Sequence, residues 1–268
     1  MTNANGGSRV HWLAFTAVLV LGGGLLWWAI ESDKPQWAWL VSLLLVAVVL
    51  FLCGYDAVGV PRGIFIDRRY VISLSRVQVV LWTVLVVSAI LAAGLWNLHK
   101  ELDALSFTIP GELWALMGIS TASSVGASLI ISNKEASPGA SEEQFNRQAS
   151  LSGTPAAPAA DLIRSGVLVT NKTPQMARWS DMITGDESGN FASIDISKVQ
   201  MLLFTVIAVL VYGLSLWTLF QALTVEGGFT EFPEFDKSIL TLIGISHAGY
   251  LSYKASPHSE PAGTTKQA

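Results

Sequence analysis

Few residues in this 268-residue chain combine a reactive side chain with a neighbour that could assist it. His247 is the one ionisable side chain inside the long apolar stretches, and Ser246 precedes it in the sequence GISHA. Adjacent residues on a helix point about 100 degrees apart, so the pair cannot act as a hydrolytic dyad. Two hypotheses remain for His247: a hydrogen bond to a neighbouring hydroxyl or carbonyl group, and a proton-sensing or conducting role.

Other signatures of catalysis or metal binding are missing from the sequence. It contains no HExxH, GxxxxGK[ST], GxGxxG or CxxC motif, and its single cysteine is Cys53. Asp186 and Glu187 with Asp181 could bind a divalent cation, but their spacing misses the EF-hand pattern and favours a solvated turn. The sequence therefore predicts no enzyme activity, no cofactor and no metal.

Composition places the chain in a bilayer. Charged residues make up 13% and apolar residues 51% of the sequence, and the mean hydropathy is +0.48. Ordinary soluble domains carry roughly 25% charge. This balance excludes a disordered chain and a disulfide-stapled module, and a net charge of -4 excludes a general nucleic-acid binder.

Six stretches without Asp, Glu, Lys or Arg predict an all-α integral membrane protein with six transmembrane helices. A bias of 13 of the 16 Lys and Arg residues toward alternate loops predicts that both termini are cytoplasmic. The predicted organisation is a cytoplasmic N-terminus (1–11), a first transmembrane hairpin (12–55), a basic cytoplasmic loop (56–76), hairpin repeat A (77–131), a flexible Ala/Ser/Pro linker (132–160), a cytoplasmic module (161–198), hairpin repeat B (199–253) and a cytoplasmic tail (254–268).

The two later hairpins form an internal repeat. Ser73–Val87 aligns without gaps to Asp195–Val209 with seven identities in 15 positions, and Leu116–Ala122 aligns to Leu242–Ala248 with five in seven. Both copies begin on the cytoplasmic side, so the repeats are parallel. This arrangement differs from the inverted repeats of many transporters.

The shared S-[RK]-V-Q sequence predicts helix starts. Ser75 and Ser197 stand at the N-cap, with Gln78 and Gln200 at the third helical position of a capping box. The alternative is a polar ring in which both glutamines line the cytoplasmic mouth of a pore.

The fourth and sixth stretches carry small residues at four-residue spacing, which predicts close helix packing. That packing could lie within one chain, between chains of a homo-oligomer, or around a narrow polar lumen. The packing or pore candidates, with His247, are Gly118, Ser120, Ala122, Gly126, Gly244, Ser246, Ala248 and Ser252.

The cytoplasmic module is predicted to contain a strand at 166–170, a short helix within 174–184 and a turn at 186–190. Residues 63–75 have a similar outline, so a small β-hairpin is expected before each repeat. The candidates for contact with a soluble partner are Trp179, Asp181, Asp186, Glu187 and Asn190. A basic collar, worth on the order of 1 kcal/mol per residue toward anionic lipid, comprises Arg62, Arg68, Arg69 and Arg76.

The motifs GDESGN (185–190), DISKVQ (195–200) and GISHAGY (244–250) resemble those of a group of uncharacterised bacterial multi-spanning inner-membrane proteins. The resemblance covers about residues 62–255 and leaves out the first two helices and the linker. It implies a multi-pass fold in a bacterial inner membrane and no particular activity.

Two functional hypotheses follow. The first is a non-catalytic membrane anchor or assembly subunit that presents a cytoplasmic docking surface to a soluble protein. The second is an oligomeric channel for ions or small solutes, lined by the Ser, Thr and Gly faces of the fourth and sixth helices. The lipid bilayer is the expected partner in both, and nucleic acid in neither.

Overall fold

The computed structural model describes residues 4–151, 162–223 and 227–262. These residues are mostly helical, with one two-stranded sheet. In chain order the elements are α1 (Ala4–Glu31), α2 (Pro35–Val58), α3 (Leu74–His99), α4 (Gly111–Glu135), α5 (Glu142–Leu151), β1 (Leu162–Ser165), β2 (Leu168–Asn171), α6 (Ile196–Ala222) and α7 (Lys237–Ala255).

Four of the described helices, α2, α3, α4 and α6, are long and apolar enough to cross a membrane. They contain 24 to 27 residues, and about 20 residues span the hydrocarbon core of a bilayer. The first and last predicted spans correspond to α1, whose described apolar part is Phe15–Glu31, and to the 19-residue α7. Among the described residues, neither α1 nor α7 is both long and apolar enough to be counted with these four. The structure is that of a multi-pass membrane protein with four candidate spans.

The chain divides into two compact units, and α3, α4 and α6 each contribute a part to both. The first unit comprises Met1–Ile64, Val80–Ala115 and Ile207–Lys237. The second comprises Phe65–Val79, Leu116–Val206 and Ser238–Ala268.

In the first unit, glycines allow two close backbone approaches. Gly54 and Gly63 lie so close that a Cβ on Gly63 would stand 2.2 Å from the Gly54 carbonyl oxygen. Gly59 ends α2 in the left-handed conformation (φ 78°), where its N–H donates to the Tyr55 carbonyl at 2.7 Å. The α2 backbone can therefore turn back against the segment that follows it.

The loops of the first unit fold around a buried asparagine. The Asn97 amide donates to the Phe229 carbonyl at 3.0 Å, and its Oδ1 accepts from the Phe229 N–H at 2.7 Å. Asn97 is fully buried, and Phe229 packs on Phe107, Phe220 and Phe232 with ring centroids 5.0 to 5.9 Å apart. One polar side chain thus fixes an aromatic loop core.

We predict that Asn97→Leu lowers the free energy of unfolding by about 2 kcal/mol or more, because both backbone groups of Phe229 lose their partner while buried. Thermal unfolding in mild detergent measures the effect. Ser106→Ala, which removes an exposed hydrogen bond to the Asp103 carbonyl, is the control and should change little. Equal midpoints for the two variants would contradict the assignment.

In the second unit the internal repeat extends to the chain before each helix. Antiparallel bridges pair Ile66 with Ile72 before α3 and Thr184 with Ile194 before α6, and Ile72 and Ile194 are aligned in the repeat. The predicted hairpins before the two repeats are thus each reduced to a single bridge.

The helix caps lie two residues earlier than expected. Ser73 and Asp195 accept the first helical N–H bonds, from Val77 at 3.0 Å and from Val199 at 3.1 Å. Asp195 also accepts from the N–H groups of Ser197 and Lys198 through its carboxylate. Ser75 and Ser197 therefore lie inside the helices, because the preceding Ser or Asp supplies the better-placed oxygen.

The segment predicted as the cytoplasmic module, called the module below, differs from its prediction in two details. β1 and β2 form an antiparallel hairpin across Gly166 (φ 58°), so the strand predicted at 166–170 begins instead at Leu168 and pairs with a strand that was not predicted. The expected short helix is instead two 3-10 turns, Pro174–Met176 and Trp179–Met182.

Part of the predicted flexible linker is ordered. Helix α5 occupies Glu142–Leu151 because Phe145 is buried against Phe191, with ring centroids 5.4 Å apart. Residues 152–161 lie outside the described residues.

Candidate functional site

The centre of the second unit is a buried carboxylate held by three cations. Asp186 contacts Arg69 at 3.0 Å, Lys198 at 3.0 Å and the Lys254 ammonium group. These cations come from the loop before α3, the first turn of α6 and the last turn of α7. The side chains of the three cations are 4 to 5% exposed, so solvent screens the contacts little.

The electrostatics favour the ionised form of Asp186. Burial opposes ionisation of this carboxyl, but the charges of Arg69, Lys198 and Lys254 outweigh it and hold its pKa well below the usual range. Burial of Arg69 is likewise outweighed by Asp186 and Asp67, which raise the pKa of its guanidinium. The positive charges of these three side chains disfavour binding of a divalent cation at Asp186, which was considered from the sequence.

Glu187 makes a second set of connections. Its side chain is 2% exposed, pairs with Lys134 of α4 and accepts from the His258 backbone N–H at 2.9 Å. Lys134 also donates to the Ser256 carbonyl at 2.7 Å. We call Asp186 and Glu187 the acidic clasp, because two adjacent carboxylates join the module to the chain before α3, to α4, α6 and α7, and to the C-terminal segment.

The five predicted docking residues fall into two classes. Asp186 and Glu187 belong to the clasp, and Asn190 accepts the Glu187 N–H at 3.0 Å. Asp181 accepts the N–H groups of Ile72 and Arg178, and burial raises its pKa. Trp179 alone of the five presents a large surface, being 53% exposed while its ring packs 5.6 Å from Phe65.

A second polar cluster lies among the helices of the second unit. Gln78 donates to Thr205 at 2.5 Å, and its Nε2 lies 3.4 Å from His247 Nε2. All three side chains are buried, whereas Gln200, the repeat partner of Gln78, is exposed. The two glutamines do not form a ring.

Buried polar atoms without a hydrogen-bond partner occur in this cluster and on α4 and α7. Within the described part of the chain they include His247 Nδ1, Gln78 Oε1 and the hydroxyls of Ser120, Ser123 and Ser246.

Only part of the predicted small-residue ridges packs closely. A Cβ on Gly126 would meet Leu251 at 3.3 Å, and one on Gly244 would meet Ile119 at 3.7 Å. Helices α4 and α7 therefore lie side by side and run in the same direction. Gly118 has open space beside it, and Ala122, Ala248 and Ser252 are exposed.

The predicted basic collar also divides. Arg69 is buried in the clasp and Arg62 is half-buried, whereas Arg68 and Arg76 are exposed.

The sequence motifs pointed to the clasp region without identifying its partners. Asp186 lies in GDESGN and Lys198 in DISKVQ, whereas Lys134 and Lys254 lie outside these conspicuous motifs. The sequence feature that could have identified these two lysines is their position, because each lies in the last turn of an apolar helix.

Comparison with protein-family models, with curated proteins and with solved structures returns no match. The motif resemblance thus stays a prediction, and function is inferred from geometry. Among the described residues no group of three or more His, Cys, Asp or Glu side chains could hold a metal ion.

We predict that Asp186→Asn destabilises the protein by roughly 3–5 kcal/mol, because it leaves three buried cations without their shared counter-charge. Thermal unfolding in detergent at pH 7 measures the loss. Glu143→Gln, which breaks the exposed pair with Arg147, is the matched control and should leave the midpoint unchanged.

The same variant tests the pH dependence. The folded pKa of Asp186 is depressed, so its contribution is complete above its unfolded value of 3.8 and is lost as the pH falls toward the folded pKa. Asp181 has the opposite shift and the opposite sign. The difference in stability between wild type and Asp186→Asn should therefore shrink below about pH 4. A difference that is constant from pH 7 to acid would contradict the ionic role.

Proposed function

We propose that this protein is a non-catalytic anchor or assembly subunit of a bacterial inner membrane. In this proposal six helices cross the bilayer with both termini cytoplasmic, and the module docks a soluble partner. The observation that carries it is the acidic clasp. It ties the module at Asp186 and Glu187 to three long helices, which gives a docking surface of fixed orientation.

The exposed residues of the module support a protein-binding role. Trp179 is 53% exposed, Ile163 47% and Ile194 64%, although the module is otherwise held by buried polar contacts. Exposed tryptophan and aliphatic side chains beside polar groups are typical of interaction surfaces. The short 3-10 turn at Trp179–Met182 and its packing on Phe65 fix the tryptophan before a partner binds.

We predict that Trp179→Ala abolishes recovery of a soluble partner when the tagged protein is purified from its native host in mild detergent. Loss of a central aromatic anchor typically costs 2 kcal/mol or more of binding. Trp114→Ala, which changes a 59% exposed tryptophan at the start of α4, should leave recovery intact. Repeated isolation of the wild-type chain alone would overturn the proposal.

The Gln78 cluster favours a second candidate, an oligomeric channel for ions or small solutes, and protons are the ion that His247 suits. Buried polar atoms that lack partners are costly inside a bilayer, and water or a passing ion would satisfy them. Ser120 and Ser123 lie on α4 between Ile119 and Gly126, whose contacts are Gly244 and Leu251 of α7. The serines are therefore level with Ser246 and His247.

Flux from liposomes between about pH 5 and pH 8 tests the channel. We expect Gln78→Ala and His247→Ala to lower proton flux severalfold. Gln200→Ala changes the repeat-related but exposed glutamine and should have no effect. No flux above empty vesicles at any pH would remove the channel candidate and leave the anchor.

A further inference from the structure

An open groove in the second unit lies beside the cytoplasmic half of α4. Its volume is about 370 Å³. Arg68 and Arg76 line it together with the α4 side chains Val125, Ser128, Leu129 and Ser132. The groove thus combines two guanidinium groups with an apolar surface.

The two arginines have donors to offer a ligand. Arg76 is exposed, and its Nη1 donates to the Ile66 carbonyl at 2.6 Å, which orients the guanidinium while using one of its five N–H groups. Arg68 pairs with Glu135 at 2.9 Å, but both side chains are exposed, at 49% and 40%. Such surface pairs contribute little, so an anionic ligand can replace Glu135.

The one acid that lines the groove does not oppose an anion. Asp67 accepts from the Arg69 N–H at 2.8 Å and from the Arg69 guanidinium at 3.0 and 3.1 Å. Its charge is therefore neutralised from the buried side by Arg69. The groove keeps the positive charge of Arg68 and Arg76.

The apolar wall has the character of a lipid contact. Val125 is 55% and Leu129 61% exposed, on a helix long and apolar enough to cross a membrane. Both lie toward the membrane centre from Arg68 and Arg76 if the positive loops are cytoplasmic. A ligand that fits has an anionic head and an apolar tail.

We propose that this groove binds one anionic phospholipid of the cytoplasmic leaflet. The phosphate accepts hydrogen bonds from Arg68 and Arg76, and an acyl chain follows Val125 and Leu129. Bidentate guanidinium contacts suit a phosphate, and each cation near a bilayer surface favours anionic lipid. The site rests on the membrane placement of the proposed function and is independent of the partner that docks at Trp179.

Native mass spectrometry of the full chain released from nanodiscs tests the site. The discs contain phosphatidylcholine with phosphatidylglycerol as the anionic probe, and the readout is the ratio of the two lipids retained. We expect one phosphatidylglycerol to be retained in preference to phosphatidylcholine. The Arg68→Gln, Arg76→Gln double variant should lower the retained ratio by about 25-fold, from roughly fivefold for each arginine.

Two further variants separate the site from general charge and from misfolding. Arg147→Gln removes an arginine that is 67% exposed and paired with Glu143, and it should retain phosphatidylglycerol. Ser128→Phe fills the groove without changing its charge and should lose the lipid.

Equal retention by wild type and the double variant would overturn the proposal, as would loss with Arg147→Gln. Displacement of the lipid by soluble glycerol phosphate would show that the site selects a free phosphate and would overturn the lipid assignment. Failure of the chain to enter nanodiscs at all would instead contradict the membrane placement.

Discussion

The second unit depends on one electrostatic constraint: a carboxylate removed from water needs cations beside it. Asp186 finds three, and each comes from a different part of the chain. Glu187 adds Lys134 and the backbone of His258. The module can therefore be ordered only when the C-terminal ends of α4 and α7, the N-terminal end of α6 and the loop before α3 are in place, because separation of any one exposes an uncompensated buried charge.

The same constraint divides the arginines by role. Arg69 turns inward to Asp67 and Asp186, whereas Arg68 and Arg76 lie on the surface, where Arg68 has only an exposed pair with Glu135. Neighbouring residues of one basic segment thus serve different ends, one as a structural counter-charge and two as surface donors. In the first unit a neutral side chain, Asn97, has the comparable organising role for an aromatic loop core.

Local patterns in the sequence predicted the elements better than their contacts. The apolar stretches indicated the helices, and the repeat extends in the structure to the bridges at Ile72 and Ile194. The predicted caps are two residues too late because the helices begin at Leu74 and Ile196, where Ser73 and Asp195 accept the first helical N–H groups, and spacing alone does not show this earlier start.

The candidate site was less predictable because its pairs join residues distant in the chain. Asp186 looked like part of a solvated turn, since nothing local shows that Arg69 and Lys254 lie beside it. Gln78 and Gln200 have matching sequences, yet only Gln78 is buried. Helix α5 was missed because the contact of Phe145 with Phe191 outweighs a composition typical of linkers.

Hydrogen–deuterium exchange in nanodiscs tests the central role of the clasp most directly. Backbone amides that depend on it lie in separate segments: Asn171, bonded to Arg69; Val169, bonded to Asp186; and Asp195, bonded to Ile183. If the clasp orders the module as one body, Asp186→Asn raises exchange at all three amides together and leaves Phe229 in the first unit protected. Faster exchange confined to the 186–190 turn would contradict it.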